Sequence, residues 1–259
     1  MFHVVIPARY AATRLPGKPL LTIANRPLIQ WVWESARNSG AASVIVATDD
    51  ERILRAARQF GADCMLTSPR HASGTDRVAE AVQARGLPPG DIIVNLQGDE
   101  PMMPPAVIRE IAAALESRPQ IDIATAVAPM TSLEEFLDPN CVKALRGSDG
   151  RALYFSRAPV PWPREHVNQG RPSLVDGAWR HIGIYGYRVR SLLAFAARPP
   201  AHLEITEKLE QLRALEHGMS IHLVVLREAP PAGVDTPEDL QRVRAAADGR
   251  ESGEVAPYL

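Results

Sequence analysis

The chain has 259 residues, 46% of them hydrophobic, and 29 Lys and Arg against 30 Asp and Glu give a net charge of −1. That length and apolar content can bury one large core. The near-neutral balance argues against a globally basic nucleic-acid binder and against an acidic tail, so an anionic ligand must be held by a local cluster of cations.

The chain opens on Val4-Val5-Ile6, a short buried strand, with no basic leader and no apolar run long enough to span a bilayer. This argues against a secreted or membrane protein. Asn25 is expected to cap a helix with Pro27 in its first turn and Leu28, Ile29, Trp31 and Val32 on its apolar face. Val44–Ala47 predicts a second strand and Asp50 to Phe60 a helix. Cys64–Leu66 predicts a third strand and Asp76 to Arg85 a helix. Ile92–Leu96 predicts a fourth strand and Ala106 to Ser117 a helix. Strands apolar on both faces and separated by single helices imply a mostly parallel sheet covered on both sides. After about Val127 the pattern changes. Val142–Leu145 and Ala152–Phe155 flank Ser148-Asp149-Gly150 as a hairpin. Pro159 to Pro172 reads as an ordered loop or lid, His181 to Tyr187 as a strand, and Leu203 to Glu216 as one long helix. Ile221 to Leu226 is expected to return as a strand, Pro237 to open a last helix, and residues after about Asp248 to form a loose tail. The two cysteines, Cys64 and Cys141, fit no metal or redox spacing and read as reduced thiols, which suits the cytoplasm.

The segment from Pro7 to Leu20 follows the first strand at its carboxyl end, where open α/β sheets bind ligands. It carries Arg9, Arg14 and Lys18, and the first acidic residue of the chain is Glu34. Without a local carboxylate partner, these cations suit a polyphosphate; solvated cations on a surface loop are the plain alternative. Gly17-Lys18 is followed by Pro19, which excludes a Walker A loop, and the glycine spacing of a dinucleotide fingerprint is absent. Asp99 lies just past the fourth strand and suits magnesium shared with phosphates, or simply a turn after Gly98. Thr236 and Pro237 can begin the last helix without Asp235, which leaves that carboxylate available as a second ligand. Period two places His181, Gly183, Tyr185 and Tyr187 on one strand face and Ile182 and Ile184 on the other. That face could line a polyhydroxylated ligand or could simply be solvated. Arg157 can pair with a carboxylate. The Glu204/Lys208 and Glu210/Arg213 spacings read first as surface ion pairs, and Thr75 could cap the helix after it.

Arg9 through Leu20 resembles the signature loop of the CMP-Kdo synthetases, nucleotidyltransferases that activate 3-deoxy-D-manno-octulosonate (Kdo). The resemblance continues in order through His71–Arg77, Asn95–Pro101, Tyr154–Ala158, Arg180–Tyr187, Leu209–Arg213 and Gly233–Leu240, nearly the whole chain. It implies a nucleotide-diphospho-sugar transferase-like α/β fold, a mostly parallel sheet with helices on both faces plus a smaller mixed β subregion. It implies one domain over residues 1–259, with a sugar-binding and dimerisation subregion inserted at about 130–190. The implied reaction is cytidylyl transfer from CTP to Kdo for lipopolysaccharide biosynthesis, in a cytoplasmic homodimer with no nucleic-acid or membrane partner. The family's roles map onto Lys18, Arg9, Arg14 and Asp99 in catalysis. Arg9, Thr13, Arg14, Lys18, Ser73, Gly74, Thr75 and Gln97 fall to the nucleotide. Gln97, Arg157, His181, Tyr185, Glu210 and Gln211 fall to the sugar acid. Asp99 and Asp235 fall to Mg2+. Rival readings are the same transfer to 8-amino-Kdo or to a sialic acid, a CTP-binding regulator without activity, and an NAD-dependent oxidoreductase, which lacks its glycine fingerprint here.

Overall fold

The computed structural model describes residues 1–11, 15–164, 174 and 177–251. The first apolar run becomes β1, Phe2–Ala8, whose β-branched residues suit a pleated, fully buried strand. It pairs in parallel with β4, Ser43–Thr48, on one side and with β6, Ile92–Asn95, on the other. β5, Asp63–Leu66, continues the parallel run beyond β4. Beyond β6 come β10, Trp179–Arg188, then β7, Ile123–Pro129, and β11, Ile221–Val225. β10 is antiparallel to both of its neighbours, while β11 is parallel to β7. The expected hairpin forms as β8, Lys143–Arg146, and β9, Ala152–Ser156, and joins the same nine-stranded sheet through β10.

Alternation along β1 builds two cores. Val4 and Ile6 face α1 (Leu28–Arg37), α2 (Glu51–Gln59) and α4 (Pro105–Glu116) through Val32, Ile53 and Ile108. Val5 faces α3 (Gly74–Ala84), α6 (Val189–Ala196) and α8 (Gln211–Glu216) through Val78, Leu192 and Leu212. Helices therefore cover both faces, as the apolar strands required. α5, Leu133–Leu137, sits over a small satellite core around Phe136. The last helix, α9, runs from Pro237 to Glu251, three residues past the expected start of the tail, and its Arg244 Nε bonds the Thr22 carbonyl at 2.9 Å. Among the described residues no helix is long and apolar enough to cross a membrane.

Several expectations change. Pro27, not Asn25, is the residue before α1. Ala24 and Asn25 have φ of 44° and 60° and form the turn between β2, Thr22–Ile23, and β3, Arg26–Pro27, because two consecutive positive φ values match the twist of a tight hairpin. Ser73, not Thr75, caps α3 in a reciprocal capping box with Asp76. The long helix expected over 203–216 is two helices, α7 (His202–Glu207) and α8. Lys208 breaks it with φ 55°, a left-handed residue that ends the first run. The expected ion pairs change with it: the Arg213 guanidinium grips Glu204 at 2.6 and 2.8 Å, and Glu210 stands 3.8 Å away. β7, α5 and α6 lie in stretches where no element was expected. Most of the Pro-rich stretch ending at Pro172 lies outside the described residues.

Candidate active site

Three loops bring the site together at the carboxyl ends of β1 and β6. After β1 the chain loops back through Gly17, whose φ of 70° is left-handed and whose amide bonds the Tyr10 carbonyl at 3.1 Å. A side chain at Gly17 would meet the Tyr10 hydroxyl at 3.0 Å and its ring at 3.1 Å. The Arg52 guanidinium covers that ring, 3.3 Å from its centroid, and is itself forked onto Asp50. The turn Lys18–Leu20, with Pro19 buried, then directs Lys18 back over the sheet.

The Lys18 ammonium donates to Asp99 Oδ2 at 2.7 Å, to the Val234 carbonyl at 2.8 Å and to Asp235 Oδ1 at 3.1 Å. Burial alone would lower its pKa. The charges and hydrogen bonds of Asp99 and Asp235 outweigh that and leave it raised. The absence of a carboxylate near Lys18 in sequence is therefore made good by two distant ones. Arg9 is exposed at the rim of the same pocket, and Thr13 and Arg14 lie outside the described residues. Asp99 is placed by Gly98, where a Cβ would stand 2.8 Å from the Pro7 carbonyl, and by a 2.8 Å bond from the Val234 amide to its own carbonyl. Thr236 and Asp239 cap α9 reciprocally, at 3.2 and 2.9 Å, so capping does not require the Asp235 carboxylate. Burial works against the charged Asp239, but hydrogen bonds from the Asp235 amide, Arg242 and Thr236 hold it down at about 2. Glu100, beside this centre, is pushed up to about 8 by burial first and then by the charges of Asp99 and Asp235. Two hard carboxylates from separate loops on one cation form a donor set that can hold a divalent ion together with phosphate oxygens.

Arg9, Lys18, Ser73, Gly74, Gln97, Asp99 and Asp235 line one pocket. Gly74 lets the chain pass close to Gln97 and Pro7: a Cβ there would stand 3.2 Å from Gln97 Oε1 and 3.3 Å from Pro7 Cγ, so Gln97 would have to shift. From Gln97 a polar chain runs through Asn95 (3.3 Å) and Thr75 (3.4 Å) to Glu210, which accepts from the Thr75 hydroxyl at 2.7 Å. Burial raises Glu210, against the hydrogen bonds and the Arg213 charge that lower it. Its second oxygen, 3.8 Å from Arg213 Nη2, and the Gln211 Nε2 are buried with no hydrogen-bond partner among the described residues. Such atoms call for a polar ligand or water.

His181, Tyr185 and Tyr187 do share a face of β10, with successive ring centroids 5.5 and 6.1 Å apart, despite a register shift between Ile182 and Tyr185. Ile182 and Ile184 enter the opposite core. Tyr187 is buried and packed on Phe195, with its hydroxyl beside Thr75 and Glu210. His181 Nε2 meets Thr125 Oγ1 at 2.9 Å, while that hydroxyl reaches the Ile184 carbonyl at 2.8 Å. One hydroxyl proton serves the carbonyl, so the imidazole N–H donates to Thr125 and Nδ1 is left as an acceptor. Burial pushes His181 down to about 3, so it is neutral at pH 7. Thr75, Arg157, His181, Tyr185, Glu210 and Gln211 stand outside the pocket lining.

Sequence reasoning missed Asn95, the hub of the polar chain, although a polar residue ending an apolar strand was a usable signal. It also missed Glu100, beside the centre, and two residues that do line the pocket. Arg77 is buried on Asp49 (2.7 Å) and Thr67 (2.6 Å), and His71 is paired with Glu80. Both lie inside a quoted run, yet their partners are visible only in the fold.

Residues 3–221 match the cytidylyltransferase family. The chain is 53% identical over 245 residues to a 3-deoxy-manno-octulosonate cytidylyltransferase of Pseudomonas fluorescens, covering 94% of this chain and 96% of that one. Its counterpart in Pseudomonas syringae pv. tomato is 52% identical over the same shares. Among solved structures, CMP:2-keto-3-deoxy-manno-octonic acid synthetase complexed with CTP superposes with a TM-score of 0.88 at 39% identity, covering 96% and 99% of the two chains. A nucleotidyl transferase from Methanothermobacter thermautotroptrophicus, at 16% identity and TM-score 0.61 over the same shares, is similar in fold alone.

Proposed function

The chain belongs to the 3-deoxy-manno-octulosonate cytidylyltransferase family, and we propose that it transfers CMP from CTP to Kdo, releasing pyrophosphate, in the service of lipopolysaccharide biosynthesis. The observation that carries this reading is the Lys18 ammonium bonded to Asp99 and Asp235 at the carboxyl end of the sheet. One positive charge between two carboxylates leaves this group net negative. A triphosphate entering beside it requires further positive charge, and a divalent cation on Asp99 and Asp235 fits that need and the hard oxygen donors. Bound there, Mg2+ would supply Lewis-acid stabilisation of the phosphate oxygens.

The anomeric hydroxyl of the sugar acid gives up its proton to solvent as its oxygen attacks the α-phosphorus in line, and the α–β bridging oxygen leaves with pyrophosphate. Lys18, with Arg9 and Arg14, offsets charge on the triphosphate and on the leaving group. Ser73, Gly74 and Thr75, with Thr13 and Gln97, take the nucleotide; Gly74 admits close approach because it has no Cβ. Glu210, Gln211, Gln97, His181 and Tyr185 take sugar hydroxyls, and Arg157 takes the carboxylate. Positioning and electrostatics supply most of the rate, without a covalent enzyme intermediate.

We extend the proposal to a cytoplasmic homodimer that contacts through residues 130–190, where the outermost strand β9 exposes Leu153. The test of the centre is Asp99→Asn. Turnover at saturating CTP and Kdo should fall ~100-fold or more with the fold intact, and raising the magnesium concentration should recover part of it. Full turnover at ordinary magnesium would remove Asp99 from the metal site.

A further inference from the structure

We propose that Glu207 is a positioning residue for the sugar-acid half of the site, holding Arg157 so that its guanidinium meets the substrate carboxylate through its unpartnered nitrogen, Nη2. This rests on the reading of Arg157 as the carboxylate contact. The left-handed Lys208 interrupts the helix, and the interruption changes what the Glu207 carbonyl does. In an unbroken helix that carbonyl would accept from the amide of Gln211. Here it accepts from Arg157 Nε at 2.7 Å. The Glu207 carboxylate accepts from Ser156 Oγ at 2.7 Å and from the Arg157 amide at 2.9 Å, so one residue fixes both the backbone and the fork of Arg157.

The other side of the guanidinium is fixed as well. Arg157 Nη1 donates to the Pro139 carbonyl at 2.9 Å. The carbonyls flanking that turn, of Asp138 and Cys141, are held by the buried Lys143 ammonium at 2.8 and 2.6 Å. The guanidinium is thus oriented by neutral carbonyls. Among the described residues no carboxylate forms an ion pair with it, and Nη2 has no partner. A cation held rigidly, with no ion pair on its guanidinium among the described residues and one donor nitrogen unused, is arranged for an anionic ligand. The carboxylate of Glu207 is bonded to Ser156 Oγ and the Arg157 amide and not to the fork, which leaves Nη2 open to a ligand.

The experiment measures KM for Kdo and for CTP in the full-length enzyme and in E207A, E207Q, R157A and the double variant E207A/R157A, with thermal unfolding as a check of folding. E207A should raise KM for Kdo ~10-fold while KM for CTP stays within about twofold. E207Q, which keeps an acceptor oxygen, should recover most of that loss. On the R157A background, E207A should add nothing further. A full additional effect on that background, an equal rise in KM for CTP, or no effect of E207A where R157A has one would each overturn the positioning role. If R157A itself leaves KM for Kdo unchanged, the carboxylate reading of Arg157 fails, and the role of Glu207 falls with it.

Discussion

His181 shows how one residue can join site chemistry to stability. Its folded pKa of about 3 lies below the ordinary histidine value of 6.5, with burial as the cause. Between those values the unfolded chain binds the proton more readily than the folded one. Stability from this residue is therefore complete above about pH 6.5 and is lost as pH falls toward 3, with a slope of at most about 1.4 kcal/mol per pH unit. His181→Gln should flatten this part of the acid limb, which denaturant unfolding of both proteins from pH 7 to pH 4 will read. Parallel curves would show that the imidazole is protonated in the folded protein. At this scale the sequence was informative about identity and silent about meeting points. Lys18, Asp99 and Asp235 were legible as chemistry because each sits beside a turn or cap that does not need its charge. That two carboxylates 81 and 217 residues away would bond one ammonium depends on the sheet order. Thr75 was read as a cap because threonine is a good one. Ser73 took that role, and the Thr75 hydroxyl went to Glu210 instead.

Among elements, the strands of the first half were readable because Val and Ile crowd them. β7 was not: Ile-Ala-Thr-Ala-Val-Ala has small, weakly strand-forming alanines, and the sheet accepts them because helices must lie close on both faces. The same close packing occurs at Gly186 on β10. A Cβ there would stand 2.7 Å from Ile111 Cγ2 and 3.1 Å from Leu115 Cδ1 of α4. Gly186→Ala should destabilise the protein by about 1–3 kcal/mol, lowering the melting temperature by roughly 2–4 °C per kcal/mol. Calorimetry showing an unchanged melting temperature would mean that α4 can shift freely on the sheet. The helix break at Lys208 was illegible for a different reason. The apolar spacing from Leu203 to Glu216 is helical throughout, and lysine at a left-handed position leaves no mark comparable to a glycine.

At the scale of the whole molecule, alternation of strands and helices was enough to read the fold class, and the hairpin at Asp149-Gly150 was legible from its turn residues. The insertion of β10 between β6 and β7, antiparallel to both, was not, since hydrophobic pattern reports burial and not direction. That insertion sets the His181–Tyr185 face one strand away from β6, which ends on the loop to Asp99, and so sets the proposed sugar side next to the phosphate side. The arrangement makes sense if both substrates must be held at once for a single displacement. The most direct test is pyrophosphate release from CTP and magnesium with Kdo, 8-amino-Kdo or sialic acid supplied separately. Release should require a sugar acid, occur with Kdo, and be absent with sialic acid. A higher rate with 8-amino-Kdo would reassign the substrate within the same chemistry. Tight CTP binding with no release on any of the three would contradict the account.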